Sequence, residues 1–233
     1  MWEQLKFQQQ QGGNKLAKEY AALPKCMLRV TAVMGHAYQP CVDGAIHLDA
    51  LLARAVAARG TWDRDRGLLP LPLPLEVLWA TPDGRPLWAS SNLVPDEVTF
   101  PAVEYWHKKF ALGPMLKWAN KPNTPTTRGP FKEYRIPMRL AIAPTLSAHC
   151  IGHKETLQEL LSDIPSIGKK SAQGKGAVVS WRVQESKATR DDLWNNRPIP
   201  VAAWPNVKGK KSLPIGGWTP PYWYAPWHDE IWL

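Results

Sequence analysis

An α+β chain is expected here: a ferredoxin-like or RRM-like sandwich with a glycine-rich loop, a long irregular insertion and a Trp/Pro-rich C-terminal extension. Three observations predict it. Strand-like and helix-like segments follow in the order strand, helix, hairpin, strand, helix, strand. The 23 prolines among 233 residues disfavour long uninterrupted helices and favour edges, turns and ordered loops. A stretch rich in glycine and lysine, Ser166 to Gly176, lies between the second helix and the last strand. Three regions result: an N-terminal extension at 1–24, a core at 25–184 containing the insertion at 91–130, and a segment at 185–233 expected to pack on the core.

In chain order, residues 1–24 begin rich in Gln and Gly, offer a short helix from Asn14 to Leu23 and close at Pro24. Cys26 to Met34 alternates in burial, is rich in β-branched residues and reads as the first strand, stopped at Gly35. Ile46 to Ala58 is the clearest helix: Ile46, Leu48, Leu51, Leu52, Ala55 and Val56 share a face, and Gly60 ends it. Leu68 to Leu75 alternates Leu and Pro, which excludes a central strand because Pro has no ladder donor. Leu75 to Ala80 and Arg85 to Ser90 flank the turn Thr81-Pro82-Asp83-Gly84 and read as a hairpin. Residues 91–130 are irregular, with Val98 to Phe110 partly extended or helical, and a connection of that length without strong periodicity is usually functional or mobile. Tyr134 to Ala143 reads as a core strand, His153 to Asp163 as the second helix and Ala177 to Val183 as the closing strand.

The formal net charge of +9 favours a polyanionic partner. Cys26, Cys41 and Cys150 are odd in number and share no metal-ligand spacing, so a reducing cytoplasm and no structural zinc are expected. Asp43 and Asp49 could evoke a metal site, but their spacing fits a turn and an exposed helix position. No apolar run approaches the ~20 residues that span a bilayer, and no membrane partner is expected.

Ser166-Ile167-Gly168-Lys169-Lys170-Ser171-Ala172-Gln173-Gly174-Lys175-Gly176 is the chemically informative stretch. Glycine permits positive φ and a close approach of backbone N–H groups to an anion, and the lysines add point charge. A nucleotide-binding P-loop needs four residues between its glycines, then Lys and Ser/Thr, between a strand and a helix. Here five residues lie between Gly168 and Gly174, Lys175 precedes Gly176, and the order is helix then strand. The dinucleotide fingerprint fails on the same order.

A helix, a hydrophobic residue and Gly, five residues of basic character, Gly-x-Gly and a strand resemble the glycine-rich loop of the CRISPR-associated RAMP superfamily (repeat-associated mysterious proteins). Family loops commonly begin Gly-hydrophobic-Gly; Ser166 stands in the first place here. Ile46-His47-Leu48-Asp49-Ala50-Leu51-Leu52-Ala53, Arg197-Pro198-Ile199-Pro200 and Pro220-Pro221-Tyr222-Trp223 are similar to segments of the small backbone subunit of type IV CRISPR effectors. The resemblance spans roughly residues 25 to 225. It implies a non-catalytic protein without cofactors that caps the 5′ handle of the CRISPR RNA. It further implies contacts with the repeating backbone subunit and the large subunit, and an indirect link to target DNA. The 91–130 insertion occupies the place of a thumb-like projection in related subunits.

The expected RNA-binding set is Gly168, Lys169, Lys170, Ser171, Gln173, Gly174, Lys175 and Gly176, with Arg29, His36, Tyr38, Lys108, Lys109 and Arg128. N–H groups around Gly168, Gly174 and Gly176 would donate to phosphate oxygens while the lysines release counterions. Such contacts position an RNA without reading it. Reading bases needs aromatic or arginine planes, for which Tyr38, Trp62, Trp106 and Arg29 are candidates, although most Trp side chains serve packing. Two alternatives stand beside this reading. One is a metal-independent endoribonuclease of the same superfamily, its candidate site His36 with Tyr38 nearby and the glycine-loop lysines across the sheet, and His149 with His153 a poorer site. The other is a stand-alone RRM-like RNA-binding protein, which leaves the glycine-loop spacing unexplained.

Overall fold

The computed structural model describes residues 15–40, 46–60, 70–97, 99–108, 132–194, 197–204, 212–220, 222 and 228–232. Residues 15–22 form a first helix, α1. Strand β1, Cys26–Met34, alternates as its sequence predicts, with Leu28, Val30 and Ala32 fully buried on one face. A two-residue strand β2, Ile46–His47, leads directly into helix α2, Leu48–Arg59, and the Gly60 N–H donates to the Val56 carbonyl at its end. Helix α3 spans Lys154–Ser162, and the His153 side chain accepts from the Thr156 N–H as its N-cap.

The main sheet has the order β2-β5-β8-β1-β9, where β5 is Asn92–Pro95, β8 is Thr145–Gly152 and β9 is Val178–Glu185. Every pair in it is antiparallel. Both α2 and α3 cover one face, so Leu52, Val56, Leu157, Leu160 and Leu161 meet Leu28, Val30, Leu146, Ala148 and Trp181 in a single core. The Trp181 indole N–H is satisfied by the Ile164 carbonyl at 2.9 Å. Along the outer edge of β9, the Gln158 amide imitates a neighbouring strand. Its Nε2 donates to the Trp181 carbonyl at 3.1 Å, and its Oε1 accepts from the Val183 N–H at 3.1 Å.

Three expectations are corrected. Tyr134 to Ala143 is not a core strand: as β7, Tyr134–Ile142, it pairs with β6, Phe100–Lys108, in a separate two-stranded ribbon. Arg135, Pro137 and Arg139 suit that exposed position, because β7 buries only Met138 and Leu140 deeply. The core strand is β8, whose small residues and His149 carry little β propensity. Nor is the start of the 91–130 stretch irregular, since Asn92–Pro95 form β5; Phe100–Lys108, within the part expected to be extended or helical, form β6. Finally, Asp49 is not exposed; it is 1 % accessible and pairs with an equally buried Arg197 at 3.0 Å.

That pair joins the C-terminal segment to α2. The Arg197 guanidinium also donates to the carbonyls of Trp88, Ser90 and Trp218, and the Tyr222 hydroxyl donates to Asp49 at 2.9 Å. The Tyr222 ring stacks on His47 with centroids 3.9 Å apart. Burial, with the Asp49 charge second, holds the Tyr222 hydroxyl well above the ordinary tyrosine range. Strands β10 (Ile199–Pro200), β11 (Ser212–Gly216) and β12 (Asp229–Trp232) form a small sheet of order β10-β12-β11. Its Ile199 and Ile231 pack with Trp218 and Leu87, the latter from the expected hairpin, β3 (Val77–Ala80) and β4 (Pro86–Trp88).

Candidate nucleic-acid interface

The glycine loop is folded back on itself by four residues with positive φ: Gly168 (81°), Lys170 (64°), Gly174 (76°) and Gly176 (65°). Two of the glycines are required by close approach as well. A Cβ at Gly168 would lie 2.6 Å from the Gln39 carbonyl oxygen, and one at Gly176 would lie 1.9 Å from the Ile167 carbonyl oxygen. The loop is laced to the segment after β1: the Lys169 N–H donates to Gln39 and the Gly176 N–H to Ala37, both at 2.9 Å. The same segment reaches the ribbon base through paired Tyr38 and Ala141 hydrogen bonds.

This lacing revises the expected phosphate cradle. The N–H groups of Gly174 and Gly176 already donate to the Ser171 and Ala37 carbonyls, so those two glycines shape the loop and do not present donors. What the loop presents outward is side chains. Lys169, Lys170 and Gln173 are exposed, and Ser171 and Lys175 are half-buried.

The ribbon runs past this loop. Residues of β6 and β7 alternate between its faces, and the register Glu104↔Met138 and Trp106↔Ile136 puts these four side chains on one face. From that face, Glu104 forms an ion pair with Lys175, and the Trp106 ring lies 4.6 Å from the Lys170 ammonium. On the opposite face the Arg135 guanidinium stacks 3.9 Å from the Tyr105 ring centroid. Tyr105, His107, Lys108, Glu133, Tyr134 and Arg135 line an open hollow at the far end of the ribbon.

The other expected residues are dispersed. Arg29 lies on the helix-free face of the main sheet, paired with Asp96 at 2.9 Å. Asp96 also accepts from Thr145 and Ser147, and a further bond of 2.9 Å links Ser147 to Thr31. Burial alone would raise the Asp96 carboxyl; those donors outweigh it and hold the group below the usual carboxylate range. His36 is exposed just beyond β1, whereas Tyr38 is only 5 % accessible and belongs to the core. Tyr38 is therefore corrected as a base-stacking or acid–base candidate: its face is covered, and burial raises its hydroxyl above the ordinary value. His149 and His153 are separately engaged, with Ser186 at 3.4 Å and with Thr156 at 2.9 Å. Trp62, Lys109 and Arg128 lie outside the described residues. Sequence reasoning missed Glu104 and the Arg135–Tyr105 stack; the alternation within Phe100 to Lys108 was the available signal.

Among the described residues no helix is long and apolar enough to cross a membrane, and no cluster of His, Cys, Asp or Glu side chains could hold a metal ion. No curated protein matches the chain. A family model described as CRISPR type IV associated protein Csf3 matches residues 28–229. That span runs from the first core strand through the ribbon and the glycine loop to the start of β12, and the chain accordingly belongs to the Csf3 family of type IV CRISPR-associated proteins.

Proposed function

We propose that this chain is a non-catalytic RNA-binding subunit that caps the 5′ handle of the CRISPR RNA in a type IV effector complex. In this reading it sits beside the repeating backbone subunit and the large subunit and meets target DNA only through them. The observation that carries the reading is the glycine loop, which projects Lys169, Lys170 and Gln173 from a chain of net charge +9 belonging to a CRISPR-associated family. A ferredoxin-like core is part of the proposal. The strand succession β5-β8-β1-β9, with α2 and α3 as the two crossovers on one face, supports it.

The absence of turnover is likewise proposed. The expected His36–Tyr38 pair is split between the surface and the core, which favours binding over acid–base chemistry. Replacing Lys169, Lys170 and Lys175 together with Ala is expected to weaken single-stranded RNA binding across sequences. It should also flatten the dependence of log K on log salt by about 2, at roughly 0.7 per phosphate contact. An unchanged slope overturns the loop as the phosphate site. Incubation with labelled CRISPR repeat RNA in EDTA separates the enzyme reading: specific cleavage that His36→Ala abolishes would replace the capping role with an endoribonuclease.

A further inference from the structure

The two loop lysines nearest the ribbon are already occupied, and by groups that imitate the parts of a nucleotide. Lys175 faces the carboxylate of Glu104, an anion in the position a phosphate would take. Lys170 faces the indole of Trp106, a flat π-surface in the position a nucleobase would take. Both imitators come from one strand, β6, at alternate positions on one face. We infer that β6 is an intramolecular competitor for RNA: Glu104 and Trp106 hold Lys175 and Lys170 in the free chain, and a bound strand displaces both. The inference rests on the proposed role of the glycine loop and adds to it a built-in threshold.

The geometry makes the exchange possible without refolding. The ribbon base stays tied to the core by the paired Tyr38 and Ala141 hydrogen bonds, at 2.9 and 2.8 Å. The contacts that must break involve side chains only. Glu104 is 49 % exposed and Trp106 is 36 % exposed, so both have solvent into which to turn. Each contact is also weak enough for a polyanion to outcompete, since partly exposed ion pairs and cation–π contacts contribute little in water. Lys169 is exposed, held by its backbone to Gln39, and its ammonium gives the strand a first contact before the other two lysines are released.

The test uses the full chain and labelled oligouridine as the probe, with affinity measured over a range of salt. Glu104→Gln frees Lys175 and is expected to tighten binding roughly two- to five-fold, with the salt slope close to the parent's because the bound state makes the same phosphate contacts. Trp106→Leu frees Lys170 without changing any charge and is expected to do the same. In a Lys175→Ala background, Glu104→Gln should have no effect on affinity or slope. Thermal melts of each variant ensure that a folded protein is being read.

Weaker binding by Trp106→Leu would make Trp106 an RNA contact and overturn the competition. Tighter binding by Glu104→Gln that persists in the Lys175→Ala background would reduce the effect to general charge, and also overturns it. Failure of the underlying site looks different: the triple lysine variant then binds as tightly as the parent, whatever the ribbon variants do.

Discussion

Arg197→Met is the perturbation that probes the tie between the C-terminal segment and the core. Arg197 and Asp49 are each 1 % accessible, and their pairing distance is 3.0 Å. Methionine preserves much of the volume but leaves the Asp49 carboxylate buried with the Tyr222 hydroxyl as its remaining side-chain donor. It also removes the donors that the guanidinium supplies to the Trp88, Ser90 and Trp218 carbonyls. Removing one member of a buried ion pair costs about 3–5 kcal/mol. Whole domains of ordinary stability have about 5–15 kcal/mol, so this change takes a large share. Urea unfolding followed by tryptophan fluorescence measures it, and a lower midpoint at constant slope is the expected form. Arg197→Lys should fall between, because a point charge meets Asp49 but cannot reproduce the fork to three carbonyls. A second comparison pairs Arg197→Met with Asp49→Leu, which together should cost less than the sum of the single changes. A loss below about 1 kcal/mol for Arg197→Met, well under the buried-pair range, refutes the reasoning. It would mean that Asp49 reaches water and that the tie is not sealed.

Gly176→Ala is expected to lower the melting temperature far more than Gly174→Ala. Both need positive φ, a strain of roughly 1–3 kcal/mol for other residues, but only at Gly176 would the new Cβ collide with backbone, 1.9 Å from the Ile167 oxygen. Equal losses at the two sites would refute the close-approach account. Asp96→Asn addresses pH. Because the folded carboxyl is held below its ordinary value of about 3.9, its contribution is complete above that value and is lost as the pH falls through the lower folded value. The gap in melting temperature between parent and variant should therefore narrow on acidification; a constant gap is the contrary result.

What the sequence made legible was the part governed by local periodicity and punctuation. β1 and β9 alternate as half-buried strands do, α2 and α3 carry apolar residues at helical spacing, and Thr81 to Gly84 supplies the hairpin turn between β3 and β4. β8 was hidden because Ser147, Ala148 and His149 have no strong preference for extended backbone; long-range pairing with β1 determines it. Asp49 misled for a similar reason, since its partner Arg197 lies 148 positions away and no local pattern announces it. At the candidate site, the positive-φ glycines were legible as a loop. Their engagement with Ala37, Gln39 and Ile167 was not, because it depends on where the segment after β1 passes. The loop lysines were visible as charge, whereas Glu104 and Trp106 face them only once β6 and β7 are in register.

The Gln158 amide on the rim of β9 bears on how such a chain can join an assembly. Open sheet rims invite another chain to add a strand, and proteins suppress this by shortening or covering them. On this main sheet one rim is a strand of two residues, Ile46–His47, and the other has Gln158 bonded to the groups at Trp181 and Val183 that an incoming strand would use. Growth by continuing the sheet is thereby discouraged in both directions. Neighbours are left to recognise this sheet through its side chains, which makes docking there selective in a way that generic backbone pairing is not. A main sheet with blunted rims is a poor template for its own repetition, which suits the capping role proposed above.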